Sequence, residues 1–226
     1  MLRIFIGYDK LEPVVHHVCA HSILRRSSIP VSITPLNKAS FSGFFSRERG
    51  QYDSTDFAIT RFLVPFLCDF QGFAVFMDGD MVCLGDVAEL SHYMTLMDKY
   101  NYAVRVVKHS YEPTEKTKFL RQEQTRYERK NWSSVMVFNN ALCTALTPEY
   151  VEKAPGLALH QFQWCKDSQI ADMPSAWNYL VGVYPKRDHI KLLHYTKGAP
   201  CFTEYRDCDY AQVWRDEYND MVSSGT

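Results

Sequence analysis

The sequence predicts an α/β protein with a sheet flanked by helices, and three observations predict it. An apolar strand, a helix opened by proline and an alternating strand follow one another within the first 36 residues, which is a βαβ unit. The run FAVFM is a near-continuous apolar strand of the kind covered on both faces, and AVRVV and SVMVF are further strands. Between such runs lie stretches whose hydrophobic residues recur at helical spacing.

Leu2 to Ile6 is the first strand and Gly7-Tyr8-Asp9 the turn behind it. Pro13 to Leu24 is a helix with proline near its first position and Val14, Val15, Val18 and Ile23 as apolar positions. VSITPL, from Val31, alternates as a second strand. The unit puts Tyr8 and Asp9 at the carboxyl end of a parallel strand, where open α/β sheets bind ligands. A loop rich in Ser, Gly and Phe leads to Ser54-Thr55, a pair suited to a helix N-cap. In TDFAITRFLVPFL, Ile59, Phe62, Leu63, Phe66 and Leu67 mark a buried helical face, with Arg61 off that stripe. Pro65 is expected to kink or end this helix, because it lacks the N–H that would bond back to Arg61. FAVFM, from Phe73, is a central strand. Asp86-Val-Ala-Glu89 has the form of a capping box, with Val87, Leu90, Met94 and Met97 on one face of the helix behind it. AVRVV begins at Ala103 and SVMVF at Ser134. The mixed-charge segment EKTKFLRQEQTRYERK between them reads as a solvated helix or mobile loop, with a lid or an acceptor-facing element as the alternative. IKLLHYTKGAP is a late apolar strand that ends in His194 and is followed by Lys197-Gly198.

With 226 residues, 46% of them hydrophobic, the chain can bury one substantial core, and one domain over residues 1–226 is expected. A formal net charge of -1 removes the electrostatic argument for a dedicated nucleic-acid binder, so an anionic substrate must be held locally. No stretch approaches the ~20 apolar residues of a membrane span, and the first residues lack a secretory pattern. Seven cysteines without a C-x-x-C pair, several in apolar segments (Cys19, Cys68, Cys83), fit a reducing cytoplasm.

The chemistry concentrates at Asp78-Gly79-Asp80, just where FAVFM stops. Asp-Gly between alternating hydrophobics is a hairpin signal. It competes with a metal site, because carboxylates are hard oxygen ligands and glycine lets the backbone bend towards an ion. A central strand is a poor partner for a two-residue hairpin. Two ionised aspartates ~4 Å apart at an effective dielectric of ~20 would repel by on the order of 4 kcal/mol, a cost that a bound cation reverses. His194 ends a strand beside a Lys-Gly pair suited to a phosphate, and imidazole added to two carboxylates turns preference from magnesium towards manganese or another transition metal. His17 and His21, at i and i+4, have no glutamate between them and no third ligand nearby, so they read as packing and polarity.

TDFAITRFLVPFLCDFQGFAVFMDGDMVCLGDVAEL, together with NWSSVMVFN, SQIADMPSAWNYLVG and LLHYTKGAP, resembles glycosyltransferase family 8 and its bacterial relatives. The resemblance runs from Ile4 to about Phe202. It implies a single GT-A domain, a Rossmann-like mixed sheet flanked by helices, and retaining transfer of a hexose from a UDP-sugar with manganese, or magnesium, as cofactor. Asp78, Asp80 and His194 would be the metal ligands, with Asp78 and Gly79 also at the donor. Gly7, Tyr8 and Asp9 fall where relatives hold uracil and ribose; Arg61 matches an arginine beside the donor; Ser133 and Ser134 lie near the donor sugar. Asp167 approximates an acidic position that contacts sugar hydroxyls and is the catalytic candidate. The family's His-x-x-Gly-x-x-Lys-Pro-Trp ending is altered to His194-Tyr-Thr-Lys197-Gly198-Ala-Pro200-Cys-Phe, with Lys197 and Gly198 as replacement phosphate contacts. The acceptor stays open among glycan, lipid-linked sugar, protein and small molecule. Two rival readings remain, a sugar-nucleotide-forming nucleotidyltransferase and a non-catalytic nucleotide-sugar-binding module; the turn Gly7-Tyr8-Asp9 lacks the glycine-rich basic loop that the first would need.

Overall fold

The computed structural model describes residues 1–50, 53–110, 117–118, 122–123 and 128–223. Its strands are β1 (Leu2–Tyr8), β2 (Val31–Asn37), β3 (Phe73–Met77), β4 (Met81–Cys83), β5 (Val104–Val106), β6 (Thr117–Lys118), β7 (Gln122–Glu123), β8 (Val135–Asn139), β9 (Ile170–Asp172), β10 (Tyr179–Leu180) and β11 (Leu192–His194). The helices are α1 (Pro13–Arg26), α2 (Val64–Leu67), α3 (Leu90–Tyr100), α4 (Pro148–Lys153), α5 (Gly156–His160) and α6 (Ala211–Ser223).

Six strands form the main sheet in the order β2-β1-β3-β8-β5-β9. β1 runs parallel to β2 and β3, β5 runs parallel to β9, and β8 is antiparallel to both β3 and β5. β8 is therefore the one reversed strand of this sheet. The carboxyl ends of β1, β2, β3, β5 and β9 share one edge, and the chain enters β8 from that same edge. This is the predicted mixed α/β sheet.

Period-two alternation divides the core between the two faces. Phe5, Phe76, Met136 and Phe138 point to one side, where Phe57, Phe62 and Trp164 cover them. Ile4, Ile6, Val75, Met77, Val135 and Val137 point to the other, against Cys19 and Ile23 of α1 and Leu90, Met94 and Met97 of α3. A smaller sheet, β10-β11-β4, packs with Val15 and Val18 of α1 and Trp214 of α6. Helix α1 thus touches both sheets.

Four expectations are corrected or refined. Pro65 does not end a helix: Thr60–Leu63 is a 3-10 turn and Pro65 stands in the first turn of α2, where its missing N–H has no partner to lose. Arg61, off the apolar stripe, is nevertheless buried. Asp86 caps the 3-10 turn before α3 by accepting from Ala88 N–H, but Glu89 pairs with Lys191 instead of closing a capping box. Of the polar segment after β5, β6 and β7 pair antiparallel; the rest of 111–127 lies outside the described residues. Among the described residues no helix is long and apolar enough to cross a membrane.

Candidate metal and donor site

Asp78-Gly79-Asp80 is a crossover between sheets rather than a hairpin. β3 pairs with β1 and β8, whereas β4, three residues on, pairs with β11. The chain turns across the carboxyl edge of the main sheet, and Asp78 N–H is held there by the Ser134 carbonyl at 2.9 Å. A Cβ at Gly79 would stand 2.6 Å from the Gly7 carbonyl oxygen, and one at Gly7 would stand 2.4 Å from the Phe57 ring. Both glycines are thus required by close approach, since only a residue without Cβ fits either contact.

His194 reaches the same place from 114 positions along the chain. β11 lies antiparallel to β4 with His194 opposite Met81, and Tyr195 N–H donates to the Asp80 carbonyl at 2.9 Å. His194 Nε2 stands 3.3 Å from Asp80 Oδ1 and 3.9 Å from Asp78 Oδ2. The three side chains each offer one ligand atom, and those atoms lie within 4.8 Å of one another. Two carboxylates and an imidazole, gathered at that spacing with the histidine buried, are a donor set that could hold a divalent metal ion. The residues present fit a metal.

Arg61, from the 3-10 turn before α2, places its guanidinium under this group. Nη1 is 2.9 Å from Asp78 Oδ1 and donates to the Ser133 carbonyl at 2.9 Å; the plane lies over the Phe57 and Phe76 rings. A planar, weakly hydrated cation is suited to such a buried aromatic slot. Ser133 Oγ is 2.8 Å from His160 Nδ1, and the Ser134 hydroxyl donates to the Asn131 carbonyl at 2.7 Å. Arg61, Ser133 and Ser134 therefore sit together beneath Asp78.

Tyr8 lies edge-on to the His16 ring at the end of β1. Asp9 is buried, with Oδ1 accepting from Leu11 N–H at 2.9 Å and Oδ2 from Asp56 N–H at 3.0 Å. Asp9 holds the turn and the 53–56 loop together. Lys197 lies over Gly182, and Gly198 has φ of 150° with the Tyr205 ring where a Cβ would be. Asp167 is not one of the three gathered side chains. It lies on the turn before β9, level with the amino end of β5 through the Ala103 N–H to Gln169 carbonyl bond, whereas the site is at the carboxyl ends. Its side chain is 80% exposed and pairs with Arg129 at 2.8 Å.

Two groups near the site escaped sequence reasoning. Glu12, at the N-cap position of α1, is pushed up to about 8, first by burial and then by the charges of Asp80, Asp9 and Asp78. Asn178 is fully buried against His194 and Ser134. A polar residue inside the apolar run Trp177-Asn178-Tyr179-Leu180 was the available signal for it. His17 and His21 hold no metal set among the described residues; His21 Nδ1 is instead 2.6 Å from the buried Glu217 carboxylate of α6.

No family model matches the sequence. A curated plant protein does: the chain is 44% identical over 229 residues to Protein CDI of Arabidopsis thaliana, covering 96% of this chain and 87% of that protein. The chain belongs to the Protein CDI family. Among solved structures, this Protein CDI family member is similar to the WbbM bifunctional glycosyltransferase (TM-score 0.65, 15% identity, 99% of this chain and 50% of that one). It is similar also to the glycosyltransferase GlyE of Streptococcus pneumoniae TIGR4 (0.60, 13%, 98% and 62%). A third is the galactosyltransferase LgtC in complex with donor and acceptor sugar analogs (0.57, 11%, 98% and 97%). The chain thus spans half the length of WbbM and nearly all of LgtC. At these identities the likeness establishes the fold, and the mixed sheet flanked by helices is the GT-A architecture of those glycosyltransferases.

Proposed function

We propose that this member of the Protein CDI family is a metal-dependent glycosyltransferase of the family 8 type, acting as one GT-A domain that moves a hexose from a UDP-sugar with retention of configuration. The observation that carries the reading is the meeting of Asp78, Asp80 and His194, from two different sheets, within 4.8 Å at the carboxyl edge of a GT-A sheet. Asp-x-Asp alone is a weak signal; three ligand atoms converging from positions far apart in sequence are a stronger one.

Manganese bound by these three residues would neutralise charge building on a nucleoside diphosphate leaving group. The chain's own groups divide the remaining work. Arg61 fixes the Asp78 carboxylate from below by charge and geometry. Asp9 holds the loop that borders the nucleotide side, and Tyr8 offers a ring for a base. Ser133 and Ser134 set the floor under the donor sugar, their carbonyls accepting from the Arg61 guanidinium and the Asp78 N–H. Transfer on one face needs no protein nucleophile: the bond from the anomeric carbon to the diphosphate breaks with its electron pair going to oxygen. That oxygen takes the proton from the acceptor hydroxyl while the acceptor oxygen bonds to carbon. Asp167, exposed and paired with Arg129, is left to sugar positioning at most.

The test is incubation with UDP-glucose, UDP-galactose and UDP-xylose in manganese, followed by assay of released UDP. Release that needs manganese supports the transferase; pyrophosphate formed from UTP and a sugar phosphate would replace it with nucleotidyl transfer. Donor binding without turnover on any acceptor class would leave a binding module.

A further inference from the structure

Asn178 is 0% exposed, at the end of the turn that leads into β10. A buried primary amide carries two donors and an acceptor, and natural cores keep one only with partners for them. Its Oδ1 stands 2.9 Å from His194 Nδ1, and its Nδ2 stands 2.7 Å from Ser134 Oγ and 3.4 Å from the Asn131 carbonyl. Ser134 in turn donates its hydroxyl proton to that carbonyl at 2.7 Å. One polarity satisfies the whole chain of bonds. The serine proton is committed to Asn131, so the serine oxygen accepts from the Asn178 amide. The amide oxygen is then turned to His194, whose Nδ1 must carry the proton that it donates. His194 Nε2 is left as the nitrogen that faces Asp80 and Asp78.

We infer that Asn178 is a positioning residue for the metal site: with Ser134 behind it, it fixes the ring orientation and the Nδ1–H tautomer of His194 so that Nε2 is the ligand atom. β11 alone cannot do this. It fixes the His194 backbone opposite Met81, but the histidine χ2 torsion is broad and roughly two-fold, and both ring nitrogens are competent ligands. Outer-shell partners of this kind decide which nitrogen binds and raise its basicity.

The inference rests on the metal reading proposed above, and the experiment separates the two. Manganese alone is titrated by calorimetry into the full chain, without nucleotide, for wild type, N178A, N178D and S134A. Melting curves report folding, and nitrogen-15 shifts report the His194 tautomer before metal is added. N178A is expected to lose about 10–100-fold in manganese affinity while melting cooperatively. N178D, which keeps an acceptor oxygen towards Nδ1, should restore most of that loss, and S134A should lose less than N178A. The Nδ1–H signature should weaken in N178A. A folded N178A with wild-type affinity, or with an unchanged tautomer, overturns the inference; if N178A does not fold, unchanged affinity in S134A overturns it and a loss supports it. Wild type that binds no manganese removes the metal reading itself, and this inference with it.

Discussion

At the scale of single residues, Asp80 and Glu12 answer different questions about the same acidic pocket. Asp80 faces His194 Nε2 at 3.3 Å, so Asp80→Asn removes a ligand charge while keeping nearly the same shape. The expected outcome is loss of manganese-dependent UDP binding with a melting temperature unchanged or a few degrees higher, because one of two neighbouring carboxylates has been neutralised. Calorimetry with and without metal checks it; equal UDP affinity in all four combinations would sink the assignment. Glu12 gives a pH test. Its carboxyl is held up to about 8 in the folded chain by burial and by Asp80, Asp9 and Asp78, against an ordinary 4.5. Between those values the folded state keeps a proton that the unfolded chain has released, so stability falls as pH rises from about 4.5 to about 8 and levels off above. Glu12→Gln carries no proton to lose and should flatten that slope. Melting temperatures in chelator from pH 5 to 9 read it directly, and parallel curves for the two proteins would contradict the placement of Glu12 among those charges.

At the scale of elements, the main sheet was largely legible because its strands are long enough to carry a pattern. β1, α1 and β2 announced a βαβ unit, and FAVFM and SVMVF proved to be adjacent central strands. What escaped is what depends on distant partners. β4 and β10 have three and two residues, too few for periodicity, and the strand ending in His194, though expected, finds its partner β4 across more than 100 positions. Pro65 escaped because the same stripe, Ile59, Phe62 and Leu63, is buried by a 3-10 turn that starts a helix as well as by a helix that proline would break. Asp78, Asp80 and His194 could be named from strand ends, whereas Asn178 could not be given a role until His194 and Ser134 stood on either side of it. The Asp-Gly-Asp turn itself is testable as an element. A methyl at Gly79 would stand 2.6 Å from the Gly7 carbonyl, and Gly7 cannot retreat past the Phe57 ring. Gly79→Ala should therefore cost roughly 2 kcal/mol of overpacking, a fall of about 4–8 °C in melting temperature. An unchanged melt would mean that the β1 and β3 turns do not meet as described.

At the scale of the whole molecule, the site lies on the seam between the two sheets. α1 spans that seam, with Cys19 and Ile23 against the main sheet, Val15 and Val18 against the smaller one, and the Ser22 hydroxyl accepting from Cys83 N–H of β4 at 2.8 Å. α6 closes behind α1 through Glu217, whose buried carboxylate meets His21 at 2.6 Å and Arg26 at 2.7 Å. Asp78 belongs to the end of a main-sheet strand and His194 to a strand of the smaller sheet, so a cation shared between them would join the two units in the folded state and would have no such site in the unfolded chain. Ligand that binds only the native state stabilises it by mass action, by about 2.7 kcal/mol at 100 times the dissociation constant. For a chain of this size that is a rise of about 5–10 °C. Manganese with UDP should produce such a rise and chelator should reverse it. UDP without metal should produce far less, and Asp80→Asn should abolish the metal-dependent part. If UDP raised the melting temperature equally with and without manganese, the nucleotide would be held by the Tyr8 side of the edge alone, and Asp78, Asp80 and His194 would be a polar seam rather than a metal centre.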